Sequence, residues 1–220
     1  MSLKIKKKAS ADIPPMEDGT YPAVCVGIVD LGEQYNQTFK NFSEKILIIF
    51  EIPSETLDID GEQKPRWLSK EFTASMGDKG NLKKFLISWR GKAFSDSELE
   101  GEYDITEMLG SSCLLQVLKE EKKERIYNNI SAAIAMPAGI PGVVPVTDPF
   151  AFDLDEWNEE TFSSLPEWIQ NKIKNSSQYK TKFAPASEAD IGTEIKQSSD
   201  LKTAQEISDS MEQKTTEVPF

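Results

Sequence analysis

From Gly19 onward the apolar residues fall in short β-branched and aromatic blocks divided by polar, Gly- and Pro-bearing breaks, a spacing that predicts strands rather than long helices. TYPAVCVGIVDLG predicts a first strand, with Gly27 as a bulge or bend. The stretch EQYNQTFKNFS reads as a polar and aromatic loop, and KILIIFEI, closed by Pro53, as a second strand. An Asp-Gly step and a Pro in SETLDIDGEQKP signal a turn before a third strand, RWLSKEFTAS. Gly77 and Gly80 then interrupt the chain, with Asp78 or Asn81 as the expected N-cap, and Leu82, Phe85, Leu86 and Trp89 recur at helical spacing until Gly91. A short helical piece is expected over 95–100, capped by Ser95 or Asp96, and a turn over 105–109. SSCLLQVLKE predicts a fourth strand, Glu120 to Glu124 a charged hairpin turn, and RIYNNISAAIAM a fifth strand. In the fifth, Tyr127, Asn129 and Ser131 form the expected polar face, while Ile126, Ile130 and Ile134 point inward.

Three strands, one helix and two strands are the element order of the OB-fold, a five-stranded, partly open barrel. The expected fold class is therefore mainly β, with a five-stranded OB-fold barrel over 17–136. A flexible basic arm is expected over 1–16. A Pro/Gly-rich linker or extended arm follows the barrel over 137–183 and carries one amphipathic helix of about three turns, started by Pro166 and marked by Leu165, Ile169 and Ile173. Residues 184–220 are polar and acidic enough to be expected disordered. In the OB arrangement strands 1 and 4 are neighbours, so Cys25 and Cys113 should lie within a few residues of each other across that pairing.

Charge changes the functional picture. The chain of 220 residues has a formal net charge of −12, divided into −5 over 1–150 and −7 over 151–220. Any affinity for a polyanion must then rest on a local stripe of cations, not on the field of the whole domain. With no His and only two Cys, neither in a CxxC, no metal site or other cofactor is expected. Acid–base catalysis would have to use carboxylates or lysines, no pair of which stands out, so an enzyme is not expected. The start MSLKIKKKAS has no apolar segment behind its basic run, and no apolar stretch approaches membrane-spanning length, so a cytoplasmic protein without membrane contact is expected.

Single strands of nucleic acid are held by stacking bases on aromatic rings while cations track the phosphates. Tyr35, Phe39, Lys40, Phe42 and Lys45 alternate these two chemistries in the expected loop between strands 1 and 2. Trp67, Lys70 and Phe72 do so on strand 3, with Lys70 and Phe72 on one face and Trp67 on the other. Tyr127 adds a ring on strand 5. Arg90 and Lys92 at the helix end, with Lys122, Lys123 and Arg125 at the hairpin between strands 4 and 5, are the candidate phosphate contacts.

The run from Leu82 to Leu86, Trp89-Arg90-Gly91-Lys92-Ala93-Phe94, Leu109 to Cys113 and Tyr127 to Ile130 resembles a group of tailed-phage proteins assigned to single-stranded DNA binding or replication. The likeness spans about 17–136, and the segment from Leu165 through Ser176 resembles the same group's C-terminal helix. The final Glu217-Val218-Pro219-Phe220 resembles the tip of bacterial single-stranded DNA-binding proteins, which recruits replication and repair enzymes. Here the tail's acids are spaced out and interrupted by Lys202 and Lys214.

These resemblances imply a protein that coats single-stranded DNA in phage replication or recombination, within the host cytoplasm, and recruits replication or recombination proteins through its tip. Self-association would be in keeping with such a role. The alternative, which the net charge favours, is an accessory interaction factor of a phage replisome or recombinase, or an acidic DNA mimic, without DNA binding of its own.

Overall fold

The computed structural model describes residues 14–59, 61–78, 80–101, 103–122 and 125–183, so the expected basic start before Pro14 and the expected acidic tail lie outside the described residues. The chain divides into two units, Met1–Gln178 and Tyr179–Phe220.

The first unit is mainly β, a curled, open antiparallel sheet with a few helices. Its strands are β1 (Gly19–Asn36), β2 (Asn41–Ile59), β3 (Glu62–Thr73), β4 (Ser112–Lys122) and β5 (Arg125–Ala135), hydrogen-bonded in the order β3-β2-β1-β4-β5. A short strand β6 (Phe150–Phe152) runs parallel to β1 at Gly27–Val29.

β1 organises the sheet because it changes partners along its length. Its first residues pair with β4, Gly19 opposite Val117 through Val24 opposite Ser112. Its remainder pairs with β2, from Val24 opposite Glu51 to Asn36 opposite Asn41. Register shifts at Cys25/Gly27 and Asp30/Gly32 bend the strand. Seven consecutive residues, Ala23 to Val29, are buried, which requires cover on both faces. Ala23, Cys25 and Ile28 belong to the inner core, while Gly27 lies so close to Phe150 on the other side that a Cβ there would meet its ring at 2.8 Å.

Helix α1 (Asn81–Arg90) fills the inside of the curl. Its predicted stripe of Leu82, Phe85, Leu86 and Trp89 is buried, and Phe85 packs on Phe72 with ring centroids 4.7 Å apart while Trp89 packs on Phe50 at 5.0 Å. Gly91 ends the helix in the left-handed region (φ 68°), its N–H donating to Ile87 O. The N-cap differs from expectation: Gly80 occupies it without a side-chain bond, Asn81 is the first helical residue, and Asp78 holds Lys83 at 2.6 Å. α2 (Asp96–Glu100) starts with a full capping box between Ser95 and Glu98, and a 3₁₀ turn covers Ile105–Met108. Cys25 and Cys113 lie beside each other as expected, Ala23 being opposite Cys113 and the Cys25 N–H donating to Ser111 O at 3.1 Å. Burial pushes the Cys25 thiol up to about 12 and the Cys113 thiol up as well, so both are inert core groups.

Four expectations need correction. The stretch read as a loop after Gly32 is largely ladder: Glu33 pairs with Glu44 and Tyr35 with Phe42, leaving only 37–40 as the turn. Polar pairs in a solvent-facing ribbon carry no hydrophobic alternation, so the strand was invisible. Met16, counted in the expected flexible arm, is instead buried and exchanges two hydrogen bonds with Asn128. In β5 the register skips Ser131, which turns Ile134 outward and puts Ala133 inward; Ile130 is buried, but Ile126 at the hairpin end is exposed. In place of one C-terminal helix stand three short ones among the described residues, α3 (Glu159–Ser164), α4 (Glu167–Lys174) and α5 (Ser177–Phe183), the first two separated at Leu165–Pro166. The stripe itself holds, with Leu165, Ile169 and Ile173 buried. α4 packs on β1, where the Gln34 side chain donates to Lys172 O at 3.0 Å.

Of the second unit, residues 179–183 are described, the larger part of α5; within it the rings of Tyr179 and Phe183 lie 5.1 Å apart.

Candidate functional site

The hairpin between β1 and β2 carries the most exposed group of rings. A tight turn shapes its end: the Asn36 side chain accepts from Thr38 N at 2.9 Å and Phe39 N at 3.2 Å, and Lys40 takes a positive φ of 50°. That conformation throws Phe39 into solvent at 75 % exposure. Behind it, the cross-strand partners Tyr35 and Phe42 lean together with centroids 5.1 Å apart, yet remain 53 % and 55 % exposed. Two half-exposed rings in contact and a third standing free form an apolar platform with the cation of Lys40 at its tip.

The same ladder separates Lys45 from that platform. Three residues beyond Phe42, it lies on the opposite face, where its ammonium donates to Thr73 Oγ1 at 2.7 Å. The face shared with the rings carries instead the opposed pair Glu33 and Glu44.

The β4–β5 hairpin lies at the other end of β1, since Gly19 is opposite Val117 while Asn36 is opposite Asn41. There Arg125 and Tyr127 are exposed, Tyr127 at 49 %. Lys122 ends β4, and Lys123 lies outside the described residues, as do Glu217, Val218, Pro219 and Phe220.

Of the remaining sequence-derived candidates, Phe72, Trp67 and Arg90 are enclosed by neighbouring side chains, while Lys70 lines a cleft and Lys92 is exposed. Phe72 is a core residue stacked on Phe85. Lys70, on the same inner face as predicted, reaches across the gap between β3 and β5 and donates to Ile130 O; burial lowers its pKa from the ordinary lysine value. Trp67 does lie on the opposite face, but half-buried beneath the chain leading to β6, its ring 6.2 Å from Phe150. Arg90 is not a free cation: its guanidinium pairs with Glu98 and lies over Phe94 at 4.0 Å and Tyr103 at 5.4 Å. Only Lys92, just past α1, is exposed as expected.

Sequence reading missed the group that fixes the segment after β5. Glu51, wholly buried in β2, accepts from Val146 N at 2.6 Å, Thr147 N at 3.2 Å and the Trp67 indole at 3.2 Å. A glutamate inside KILIIFEI was the available signal, since such a residue is buried only where donors meet it. Among the described residues no cluster of His, Cys, Asp or Glu is arranged to hold a metal ion, and no helix is long and apolar enough to cross a membrane. No family model matches the chain, and a search of curated proteins finds no relative.

Proposed function

We propose that the protein binds single-stranded DNA through the aromatic end of its β1–β2 hairpin, as a non-enzymatic coating protein of replication or recombination. The curled sheet, with α1 between β3 and β4, is read as an OB-fold, an architecture that lends its hairpins to single strands. The observation carrying this reading is the solvent-facing trio Tyr35, Phe39 and Phe42 with Lys40 beside it. Rings this exposed offer π-faces to bases of any identity, so the expected binding is tolerant of sequence. Tyr127 and Arg125 on the second hairpin supply a further stacking point and phosphate contact. Residues 217–220 recruit partner proteins in this reading.

The test is anisotropy of a labelled oligo-dT titrated with the full chain at several salt concentrations. Saturable binding that weakens as salt rises, and that duplex DNA of equal length does not match, supports the proposal. Absence of binding at low salt overturns it.

A second reading rests on the opposed Glu33 and Glu44 beside the rings and on the net charge of −12. An aromatic platform flanked by acids also suits a basic protein partner, which would make the molecule an accessory interaction factor. Capture of a basic replication or recombination protein, lost on removing Phe39, together with failure to bind oligo-dT, would select it.

A further inference from the structure

β3 and β5 are the two ends of the strand order, and their facing edges are not joined by a ladder. Where they part, α1 closes the inner side and leaves a cleft of about 290 Å³. Its polar lining is Lys70, Asn81, Lys84, Ser88 and Ser131, over a floor made by Phe72 and Phe85. Among the described residues no carboxylate lines it, in a chain whose formal charge is −12.

We infer that this cleft is an anion site that takes a phosphoryl group, held by the ammonium groups of Lys70 and Lys84 with Asn81 and Ser88 as neutral donors, the Ser131 hydroxyl donating instead to Gln116 Oε1 at 2.8 Å. Lys70 gives one hydrogen bond to Ile130 O and has three protons, so two donors remain for a ligand. Burial opposes its charge and the carboxylate of Glu120 on β4 supports it only in part, so a bound anion would restore what the cleft removes. Lys84 makes no ion pair among the described residues, whereas its neighbour Lys83 is held by Asp78.

Helix α1 adds to the same sign. It begins at Asn81, on the cleft, without a side-chain cap and without an acid in its first turn, and the nearby Asp78 carboxylate is engaged by Lys83. The cleft is at the small end of ligand pockets, which suits a phosphoryl group better than a base with its sugar. Four donors from two facing elements also suit the several oxygens of a phosphoryl group.

The site does not depend on the strand-binding proposal, because inorganic pyrophosphate reports it without DNA. Calorimetric titration of the full chain with pyrophosphate at low salt should show one saturable site. Lys84→Gln should weaken it about tenfold, the equivalent of one lost close charge contact. Lys83→Gln removes the same charge one residue away, outside the cleft, and should change it by no more than about twofold. Equal losses in the two variants, or no binding by the parent protein, would overturn the site.

Short oligo-dT with and without a 5′-phosphate distinguishes the sources of the group. Preference for the phosphorylated oligomer, lost in Lys84→Gln, assigns a strand end, and equal loss for both assigns an internal diester. If neither oligomer binds while pyrophosphate does, the strand-binding proposal fails and the anion site stands for a free phosphorylated compound.

Discussion

Glu51 and Trp67 are cross-strand partners in the β2–β3 ladder, and the Trp67 indole donates to the Glu51 carboxylate at 3.2 Å while Val146 N donates to its other oxygen at 2.6 Å. One buried side chain thus ties two strands of the sheet to the segment that continues into β6. Glu51→Ala leaves three donors without their acceptor, and we expect a loss of about 2–4 kcal/mol in urea unfolding. Glu51→Gln keeps one acceptor oxygen and should fall between. Limited proteolysis should cut the alanine variant near Val144 and Val146, which are already exposed. A stability equal to that of the parent protein would show that the segment is held by Phe150 and the apolar contacts alone.

The ring platform permits a separation of binding from folding. Phe39 is 75 % exposed, so Phe39→Ala should move stability by no more than about 0.5 kcal/mol. If a base stacks on it, the same change should cost about 1–3 kcal/mol of oligo-dT affinity. Tyr35→Ala also removes the contact with Phe42 and should cost a little stability as well. Thermal unfolding and anisotropy on the same preparations read both quantities.

What the sequence showed depended on whether a feature has a period. The α1 stripe was legible because Leu82, Phe85, Leu86 and Trp89 recur as a helix requires and Gly91 marks its end. The neighbourhood of Cys25 and Cys113 was legible because the element order constrained which strands meet. The outward turn of Ile134 was not, since the one-residue skip at Ser131 reverses alternation and has no residue signature. Arg90 looked like a phosphate contact for a similar reason: Phe94, Glu98 and Tyr103 enclose it only once the turns after α1 bring them round. The site was half legible. Tyr35, Phe39 and Phe42 were found by composition, but the ladder that puts Lys45 on the other face is a matter of register.

Asp30 makes a test of opposite sign from the usual carboxylate. Burial raises its pKa above the ordinary aspartate value, and Asp153 and Asp155 add to the rise, against hydrogen bonds from the backbone of Gly32 and Leu154. A folded pKa above the unfolded one means that stability is fully present below the unfolded value and declines as pH rises through the folded one. Asp30→Asn keeps an oxygen for the Gly32 N–H, now held at 2.8 Å, and removes the repulsion. The variant should therefore be more stable at neutral pH, by under about 1 kcal/mol after solvent screening, and the gain should vanish in acid. A loss at neutral pH would mean that the hydrogen bonds outweigh the charge.

Glu98 carries the complementary case. The backbone N–H of Ser95 and then the Arg90 guanidinium hold its carboxyl at about 2, below the usual glutamate value of 4.5. With the folded pKa depressed, the unfolded chain binds more protons in the interval between, so stability must rise with pH there and be lost as pH falls from about 4.5 towards about 2. Glu98→Gln removes this titration and the charge that faces Arg90, while its amide oxygen can still accept from the Ser95 N–H, so the variant should be less stable at neutral pH and should show a flatter pH dependence over that interval. Urea midpoints collected through the interval for the two proteins give the comparison, and it is the difference in slope that decides. Parallel slopes would show that Glu98 titrates normally and that Arg90 is held by the rings of Phe94 and Tyr103 without help from its carboxylate.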